Sequence, residues 1–297
     1  MKPFRYDTTG QWYKGNTHVH STASDGGKTF AEIAAMYAGA GYDFLCRTDH
    51  WVCSDVEGDP AEYPLLWLDG IELDGPDETG VKFDVACLGR LRGLRREMGF
   101  LEAVASARDQ GALLVLAHPH WNGNSTEDAL RRTVHGVEIY NHVCRWLNGK
   151  DDGRVHWTAM MDRRPGTLAF AVDDAHLREE LPGWNGGWIV VNAPERTREA
   201  LHAAIRAGNF YSSCGPAFHA IELRDGHLRV ATSPVALARL VGPASLGKRV
   251  GSFDGEPLTE AAFDVPPDWA WAYVEIEDAR GRRAWTNPLF VEAADEA

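Results

Sequence analysis

Two pairs of polar residues, each separated by a single position, lie at the edges of apolar segments. His18 and His20 flank Val19, and Asp174 and His176 flank Ala175. Residues i and i+2 of a β-strand lie on the same face, so each pair can direct both side chains to one point. Imidazole and carboxylate ligands together suit Zn²⁺, Mn²⁺ or Fe²⁺ better than Ca²⁺ or Mg²⁺ alone. Either pair alone is more often structural or incidental, so a metal site is indicated only if further ligands lie beside them.

Residues of the same chemical types follow other predicted strands. Strands are expected at residues 15–20, 42–48, 65–73, 81–88, 112–117, 136–140 and 167–172. The polar residues at their carboxyl ends include Asp49, His50, Glu72, Asp84, His118 and Glu138. Each of these residues alone is explained equally well as a polar strand end, an ion-pair partner or a turn. Their shared position favours one site, because active sites of α/β barrels lie at the carboxyl ends of the strands.

Strand and helix patterns alternate over the first two-thirds of the chain. Thr29 and Glu32 form a capping-box pattern that predicts a helix start, and helices are also expected at 98–110 and 197–207. This alternation predicts an α/β fold with a mainly parallel sheet, either a barrel or doubly wound. Only β patterns follow Cys214. We therefore predict two domains, with a small β-sandwich-like domain at 214–297 after an α/β domain at 1–213.

Composition limits the classes of partner and compartment. The net charge of −13 disfavours general nucleic-acid binding, although bound cations would still allow an anionic small-molecule substrate. The chain shows no long apolar run, so no membrane span is expected. An odd number of cysteines without a CxxC pair indicates a reducing compartment, and we predict a cytoplasmic protein. The sequence leaves the oligomeric state open, a homo-oligomer included.

Seven short motifs resemble, in their order, those of the polymerase and histidinol phosphatase (PHP) superfamily. They are THVHS at 17–21, SDG at 24–26, TDH at 48–50, GIE at 70–72, AHP at 117–119, VEI at 137–139 and DDAH at 173–176. The stretches GNFYSS at 208–213, GP at 215–216 and AWTNP at 284–288 are similar to the carbaryl-hydrolase-like branch, whose members often carry a small β domain. The resemblance spans residues 13–213 and implies a distorted seven-stranded β/α (TIM-like) barrel.

The resemblance also implies one to three divalent metal ions, Zn, Mn or Fe, and a set of ligands. These are His18, His20, Glu72 and Asp174 for a first ion, Glu72 and His118 for a second, and Asp25, His50 and His176 for a third. Many relatives have a histidine after the bridging glutamate, where this chain has Asp84. Carboxylate oxygen is a harder donor than imidazole, so the second site is expected to differ in affinity or metal preference.

These ligands predict a metal-dependent hydrolase that attacks its substrate with a metal-bound hydroxide. Divalent ions lower the pKa of bound water and stabilise the attacking and leaving oxygens of a phosphate ester. The leading prediction is a phosphoesterase for a nucleotide or sugar phosphate. Further donors for the developing charge are sought among Arg47, Arg145, His120 and His142. His120 fits a general acid as well as a surface histidine.

Two alternatives stay open from the sequence. One is a metal-dependent hydrolase of a carbamate, ester or amide, as the branch suggests. The other is a non-catalytic metal-binding module, against which the ligand set argues, since structural zinc sites prefer closed, cysteine-rich cages. The orientation of two arginines separates the first two predictions. If Arg47 and Arg145 both point away from the metal ligands, the prediction of a phosphate substrate is weakened.

Overall fold

The computed structural model describes residues 3–252 and 255–291. The strands over these residues are β1 (Gln11–Asn16), β2 (Phe44–Cys46), β3 (Leu66–Leu68), β4 (Gly70–Pro76), β5 (Lys82–Leu88), β6 (Leu113–Leu116), β7 (Gly136–Asn141), β8 (Leu168–Val172), β9 (Trp188–Ala193), β10 (Phe210–Ser213), β11 (Phe218–Arg224), β12 (His227–Val235), β13 (Leu237–Val241), β14 (Gly247–Gly251), β15 (Leu258–Asp264), β16 (Tyr273–Glu277) and β17 (Arg283–Thr286). The α-helices are α1 (Phe30–Gly39), α2 (Phe100–Asp109), α3 (Pro119–Asn122), α4 (Thr126–Arg131), α5 (His142–Asn148), α6 (Arg154–Met161) and α7 (Arg198–Ala207), and a 3₁₀ helix spans Arg96–Met98.

The α/β character predicted from the alternating patterns is confirmed, and the predicted start of the first helix is found at Thr29. The Thr29 side chain accepts a hydrogen bond from the Glu32 backbone, and the Glu32 carboxylate accepts one from the Thr29 backbone. Helix α1 buries Ile33, Ala34 and Tyr37. This apolar face belongs to a core shared with residues around β2 and β3. Helix α1 thereby covers the outer side of the sheet that carries the first two histidines.

Two sheets enclose the core beneath the predicted site. One contains the parallel strands β1, β2 and β3, and the other has the order β4-β5-β6-β7-β8. Their facing side chains form one buried cluster that includes Phe44, Phe170 and Phe210. In the second sheet β6, β7 and β8 are parallel, whereas β4, β5 and β6 are antiparallel.

The closed seven-stranded barrel expected from the resemblance is not found among the described residues. The hydrogen-bond ladder is divided between the two sheets, which are joined near the predicted ligands by isolated parallel bridges. One bridge pairs Val19 with Ala175, and the other pairs His50 with Glu72. The expectation of a mainly parallel sheet is also wrong. In the first sheet β9 pairs antiparallel with both β1 and β10. The two sheets therefore face each other across a shared core, but their strands do not form one closed hydrogen-bonded barrel.

The β strands after Cys214 are divided between the first sheet and a separate sheet. Strands β17, β16, β13 and β14 extend beyond β10 in one nine-stranded sheet, and β11, β12 and β15 form a separate three-stranded sheet. Side chains from both sheets, including Phe218, Leu240 and Ile276, share a buried core. This two-layer packing is sandwich-like. The division into domains at 213/214 stays a prediction, since one sheet continues across that position.

Over the part of the chain that the structure describes, no helix combines the length and the apolar character needed to cross a bilayer. All five cysteines are unpaired.

Candidate metal centre

The two histidines that follow β1 are held by the strands on either side of them. The Val19 backbone N–H donates to Thr48 Oγ1 at 2.8 Å, and the His20 N–H donates to the Ala175 carbonyl at 2.9 Å. This extended backbone turns alternate side chains the same way. The Nε2 atoms of His18 and His20 consequently lie 3.1 Å apart, and both imidazoles are fully buried.

Glu72 and Asp174 bring carboxylates to the same two imidazoles. Glu72 Oε2 lies 3.1 Å from His18 Nε2, and Asp174 Oδ1 lies 3.0 Å from His20 Nε2. The other Glu72 oxygen, Oε1, lies 3.3 Å from His118 Nε2. Two groups of residues have donor atoms within 4.8 Å of one another: His18, His20 and Asp174, and His18, Glu72 and His118. Glu72 therefore places Oε2 beside His18 and His20 and Oε1 beside His118.

A second cluster shares His20 with the first and extends toward the protein surface. Its members, His20, Asp25, His50 and His176, also have donor atoms within 4.8 Å of one another. Asp25 Oδ2 lies 3.2 Å from His176 Nε2. The imidazoles of His50 and His176 stack on that of His20, with ring centroids 4.7 and 4.2 Å away. The sequence-predicted ligands of all three ions are thus brought together around Glu72 and His20.

Asp49 fixes the loop that carries Asp25. Its carboxylate accepts hydrogen bonds from the Ser21 backbone at 2.8 Å and from Ser24 Oγ at 2.7 Å. Gly26 allows this loop to approach His20 closely, because a Cβ atom there would lie 2.3 Å from the His20 carbonyl oxygen. Asp49 therefore positions the loop that carries Asp25.

Asp84 lies near the beginning of its strand, although the sequence placed it at a carboxyl end. Strand β5 runs antiparallel to β6, so its start lies beside the end of β6, two residues after which His118 follows. Asp84 Oδ2 is 3.7 Å from His118 Nε2, and Oδ1 is buried without a hydrogen-bond partner in the described part of the chain. Burial raises the pKa of Asp84 to about 6. A buried carboxylate oxygen without a hydrogen bond is costly unless a cation compensates its charge, and the Lys82 ammonium lies 3.8 Å from Oδ1.

Charge in the cluster is balanced between imidazoles and carboxylates. Burial opposes protonation of His18 and His20, but the carboxylates of Asp174 and Glu72 outweigh it. They raise the pKa of His18 well above its usual value and that of His20 to about 9. Burial acts to raise the pKa of Glu72 and Asp174, but His18 holds both well below their usual range. Protonated imidazoles thus compensate the negative charge of the carboxylates. A divalent metal ion bound in the cluster would compensate that charge more strongly.

Backbone strain is concentrated at the same place. Four of the seven non-glycine residues with positive φ in the described ranges are at the cluster or beside it: Trp51, His118, Asp174 and Leu177. Residues in this conformation cost about 1–3 kcal/mol each and persist only where the surrounding structure imposes them. Such strain is typical of functional sites.

Glu138 supports the cluster from below; the sequence placed it among the polar strand ends but gave it no role as a ligand. Its Oε1 atom lies 2.6 Å from His18 Nδ1, and Oε2 accepts hydrogen bonds from the His118 backbone at 2.9 Å and from Asn141 Nδ2 at 3.0 Å. A carboxylate that accepts a hydrogen bond from Nδ1 fixes the ring so that Nε2 can bind a metal ion between the candidate ligands. Asn141 also donates to Asp174 Oδ2 at 3.2 Å.

A cavity of about 620 Å³ opens above the cluster. Three cationic side chains, Lys82, Arg96 and Arg178, line it together with seven of the predicted ligands: Asp25, His50, Glu72, Asp84, His118, Asp174 and His176. The remaining wall is mainly apolar and includes Trp121 and Leu147. Sequence reasoning missed the three cations, because none lies within a recognisable motif.

None of the four residues predicted to contact the developing charge lines this cavity. The Arg47 guanidinium bonds Asp59 Oδ2 at 2.5 Å and lies 4.0 Å from the Phe30 ring centroid, on the α1 side of the sheet. Arg145 is largely exposed and borders a different cavity of about 220 Å³.

The two histidines of that group also lie elsewhere. His142 Nδ1 contacts the Tyr140 hydroxyl at 3.1 Å, and its ring packs against Gly186. His120 is exposed on α3. In this short helix the neighbouring Trp121 lines the cavity instead.

Similarity to known proteins was found only among solved structures, since no protein-family model and no curated protein matches the chain. A two-domain protein from Bacteroides vulgatus, described as containing a predicted PHP-like metal-dependent phosphoesterase, aligns over 97% of this chain and 98% of its own length. The TM-score is 0.53 and the sequence identity is 14%.

Two further structures share less. A candidate metal-dependent phosphoesterase from Bifidobacterium adolescentis aligns over 55% of this chain and 87% of its own, with a TM-score of 0.39 and 14% identity. An amidohydrolase from Chromobacterium violaceum aligns over 50% of each chain, with a TM-score of 0.24 and 15% identity. Scores this low establish no common fold, and the carbaryl-hydrolase-like branch stays a prediction. This chain shares its fold along nearly its whole length with the two-domain protein of Bacteroides vulgatus, and membership of the PHP superfamily stays a prediction.

Proposed function

We propose that the chain is a metal-dependent hydrolase that cleaves a phosphate ester of a small molecule. The observation that carries this proposal is the convergence of eight histidine, aspartate and glutamate side chains beneath one cavity. Structural zinc sites are closed and rich in cysteine, whereas this ligand set contains none and opens to solvent. The arrangement therefore favours catalysis over a purely structural metal.

The residues fit bound divalent ions, with assignments that follow the clusters. His18, His20, Glu72 and Asp174 would hold the first ion, and Glu72 and His118, with Asp84 beside them, the second. Asp25, His50 and His176 would hold a third. Mixed nitrogen and oxygen donors favour Zn²⁺, Mn²⁺ or Fe²⁺. Bound there, such ions supply Lewis acidity and activate water for hydrolysis.

The chain's own residues orient these ligands and bind the anionic part of the substrate. Glu138 fixes the orientation of His18 through its 2.6 Å contact with Nδ1. Lys82, Arg96 and Arg178 place positive charge along the cavity, and each also lies beside a carboxylate, that of Asp84, Asp74 and Glu180 respectively. We assign to them the stabilisation of the phosphate charge that was predicted for Arg47 and Arg145. Because neither of those arginines lines the cavity, the proposal of a phosphate substrate depends on these three cations. Positive groups at the rim attract a dianionic phosphate and stabilise it by charge-assisted hydrogen bonds.

A second candidate function is hydrolysis of a carbamate, ester or amide. The apolar wall and the engagement of Arg47 with Asp59 favour it, since a neutral carbonyl substrate needs fewer cations. Lys82, Arg96 and Arg178 favour the phosphate ester.

The unpaired cysteines fit a reducing, cytoplasmic setting.

Substitution of Glu138 with glutamine should weaken metal binding without abolishing it. The amide oxygen still accepts a hydrogen bond from His18 Nδ1, but the negative charge that increases the basicity of the imidazole is lost. Loss of such a supporting group typically costs roughly ten- to hundredfold in metal affinity. Competition with a chromogenic chelator measures the dissociation constant. An affinity equal to that of the unaltered protein would show that Glu138 does not tune the site.

Substitution of Arg178 with alanine should raise KM for a phosphate ester by about tenfold, because a hydrogen bond to a charged group contributes about 1.5–3 kcal/mol. Arg145→Ala is the matched control, since Arg145 is also an exposed arginine but borders another cavity. We expect steady-state KM to change by less than about twofold in the control. Equal effects of the two substitutions would contradict the assignment of Arg178 to the substrate site.

A substrate screen separates the two candidate functions. The protein loaded with Mn²⁺ or Zn²⁺ is assayed against nucleotides, sugar phosphates, aryl phosphates, carbamates, carboxylic esters and amides. The proposal expects hydrolysis of phosphate esters that chelation abolishes. Cleavage of only carbonyl compounds would replace it with the second candidate.

A further inference from the structure

The cavity above the metal ligands is divided into a charged side and an apolar side. Carboxylates, imidazoles and the three cations form one side. Trp121 from α3, Val143 and Leu147 from α5, and Leu181 from the segment after His176 form the other. The Trp121 ring meets the His118 ring edge-on, with centroids 5.4 Å apart. The apolar side therefore begins directly beside a predicted metal ligand.

Large apolar side chains at this rim are unusually exposed. Six large hydrophobic residues are exposed among those described, and three of them, Trp121, Trp146 and Leu147, lie within α3 or α5. Trp121 is 37% exposed and Leu147 42% exposed, and both line the cavity. Scattered exposed apolar residues need no explanation, but a group of them at the mouth of a polar site is typical of ligand binding.

The apolar side of the cavity offers little to a polyhydroxylated group, whereas the carboxylates and cations of the charged side can bind hydroxyls. Among the described residues that line the cavity, Ser24 carries the one hydroxyl group and none has an amide side chain. Sugar hydroxyls bound against Val143, Leu147 and Leu181 would lose hydrogen bonds to water without replacement, at a cost for each unpaired group. An aromatic ring loses none, and it can pack on the indole of Trp121.

We propose that the substrate carries an aromatic body next to its phosphate, and that Trp121, Val143, Leu147 and Leu181 form the subsite that binds it. This inference rests on the proposed function for the position of the phosphate. The phosphate lies toward the ligands and Arg178, and the ring lies on the apolar side. The volume of about 620 Å³ is sufficient for such a compound, since small-molecule pockets span about 300–1,000 Å³.

Binding of two non-hydrolysable phosphonates tests the subsite without relying on turnover. Phenylphosphonate and methylphosphonate present the same charged group, and they differ in the ring. Their affinities for the Mn²⁺-loaded protein are measured by calorimetry in the unaltered protein and in Trp121→Ala, Leu147→Ala and Trp146→Ala. Trp146 is the control, because it is 53% exposed on the same helix as Leu147 but does not line the cavity.

We expect phenylphosphonate to bind at least about tenfold more tightly than methylphosphonate in the unaltered protein and in Trp146→Ala. Trp121→Ala and Leu147→Ala should each reduce this ratio severalfold and leave methylphosphonate affinity unchanged, which also shows that the variants fold and hold metal. Equal affinities in the unaltered protein, or a ratio that neither substitution changes, would overturn the subsite. A phenyl preference in a protein that hydrolyses no phosphate ester would support the subsite and overturn the proposed function.

Discussion

Replacement of His20 by alanine should lower kcat/KM by at least about a thousandfold, well beyond the roughly ten- to hundredfold cost of losing a supporting group. His20 belongs to two of the three groups of candidate ligands, and it is fully buried between Asp174 and Glu72. Its loss removes a proposed ligand of the first ion and the imidazole that the first cluster shares with His50, Asp25 and His176. It also leaves two buried carboxylates with less compensating charge, which disfavours any geometry that holds them together.

Steady-state kinetics with saturating Mn²⁺ or Zn²⁺ checks this expectation. His219→Ala is the matched control, because His219 is an exposed histidine on β11 and outside the cluster. Its kcat/KM should stay within about twofold of the unaltered protein, as is usual for surface substitutions. Activity in His20→Ala that equals that of His219→Ala would show that the site is misassigned.

Asp173→Ala should lower the free energy of unfolding by about 3–5 kcal/mol. The fully buried Asp173 carboxylate accepts hydrogen bonds from the backbones of Asn185, Gly186 and Gly187 at 2.7–2.9 Å and from the Tyr37 hydroxyl at 2.8 Å. Burial raises the pKa of Asp173, although the Gly186 and Gly187 N–H groups act against it. Truncation leaves four donors without their acceptor, and two of them, the Gly187 N–H and the Tyr37 hydroxyl, are buried.

Thermal unfolding followed by circular dichroism measures the effect. For a chain of this size the loss corresponds to a decrease in Tm of about 10 °C. Asp173→Asn keeps one acceptor oxygen and should fall between the alanine variant and the unaltered protein. Glu179→Ala, an exposed substitution in the same segment, should change Tm little. A Tm for Asp173→Ala within a degree of that control would contradict the anchoring role.

Asp173 also links stability to the site. It precedes Asp174 directly, and its hydrogen bonds hold the far end of the segment that carries His176, Arg178 and Leu181. The variant should consequently bind metal more weakly even at temperatures where it is folded. This coupling follows from the position of a single carboxylate between the ligand strand and the segment over the cavity.

The order of polar residues along the chain predicted much of the cluster, because strand geometry limits where side chains point. Alternation in an extended segment was sufficient to pair His18 with His20, and the capping-box pattern was sufficient to start α1. Sequence patterns report such local constraints well. The roles of these residues as metal ligands rest on the proposal and its tests.

Strand direction and long-range contacts could not be predicted in the same way. Strand β5 has the same apolar pattern in either direction, so its antiparallel pairing and the resulting position of Asp84 depend on the sheet as a whole. Arg47 contacts Asp59 and Phe30, and neither contact leaves a local signal. The mostly exposed strand β14, with the sequence GKRVG, lacks the apolar alternation that would have identified it.

The central claim is that His18, His20, Glu72 and Asp174 hold a divalent metal ion. The most direct test is elemental analysis of the purified protein combined with anomalous diffraction at the absorption edge of the metal found. We predict about one to three ions per chain, with an anomalous peak between these four side chains. A well-folded protein without metal, whose four side chains bind none after incubation with Zn²⁺ or Mn²⁺, would contradict the account.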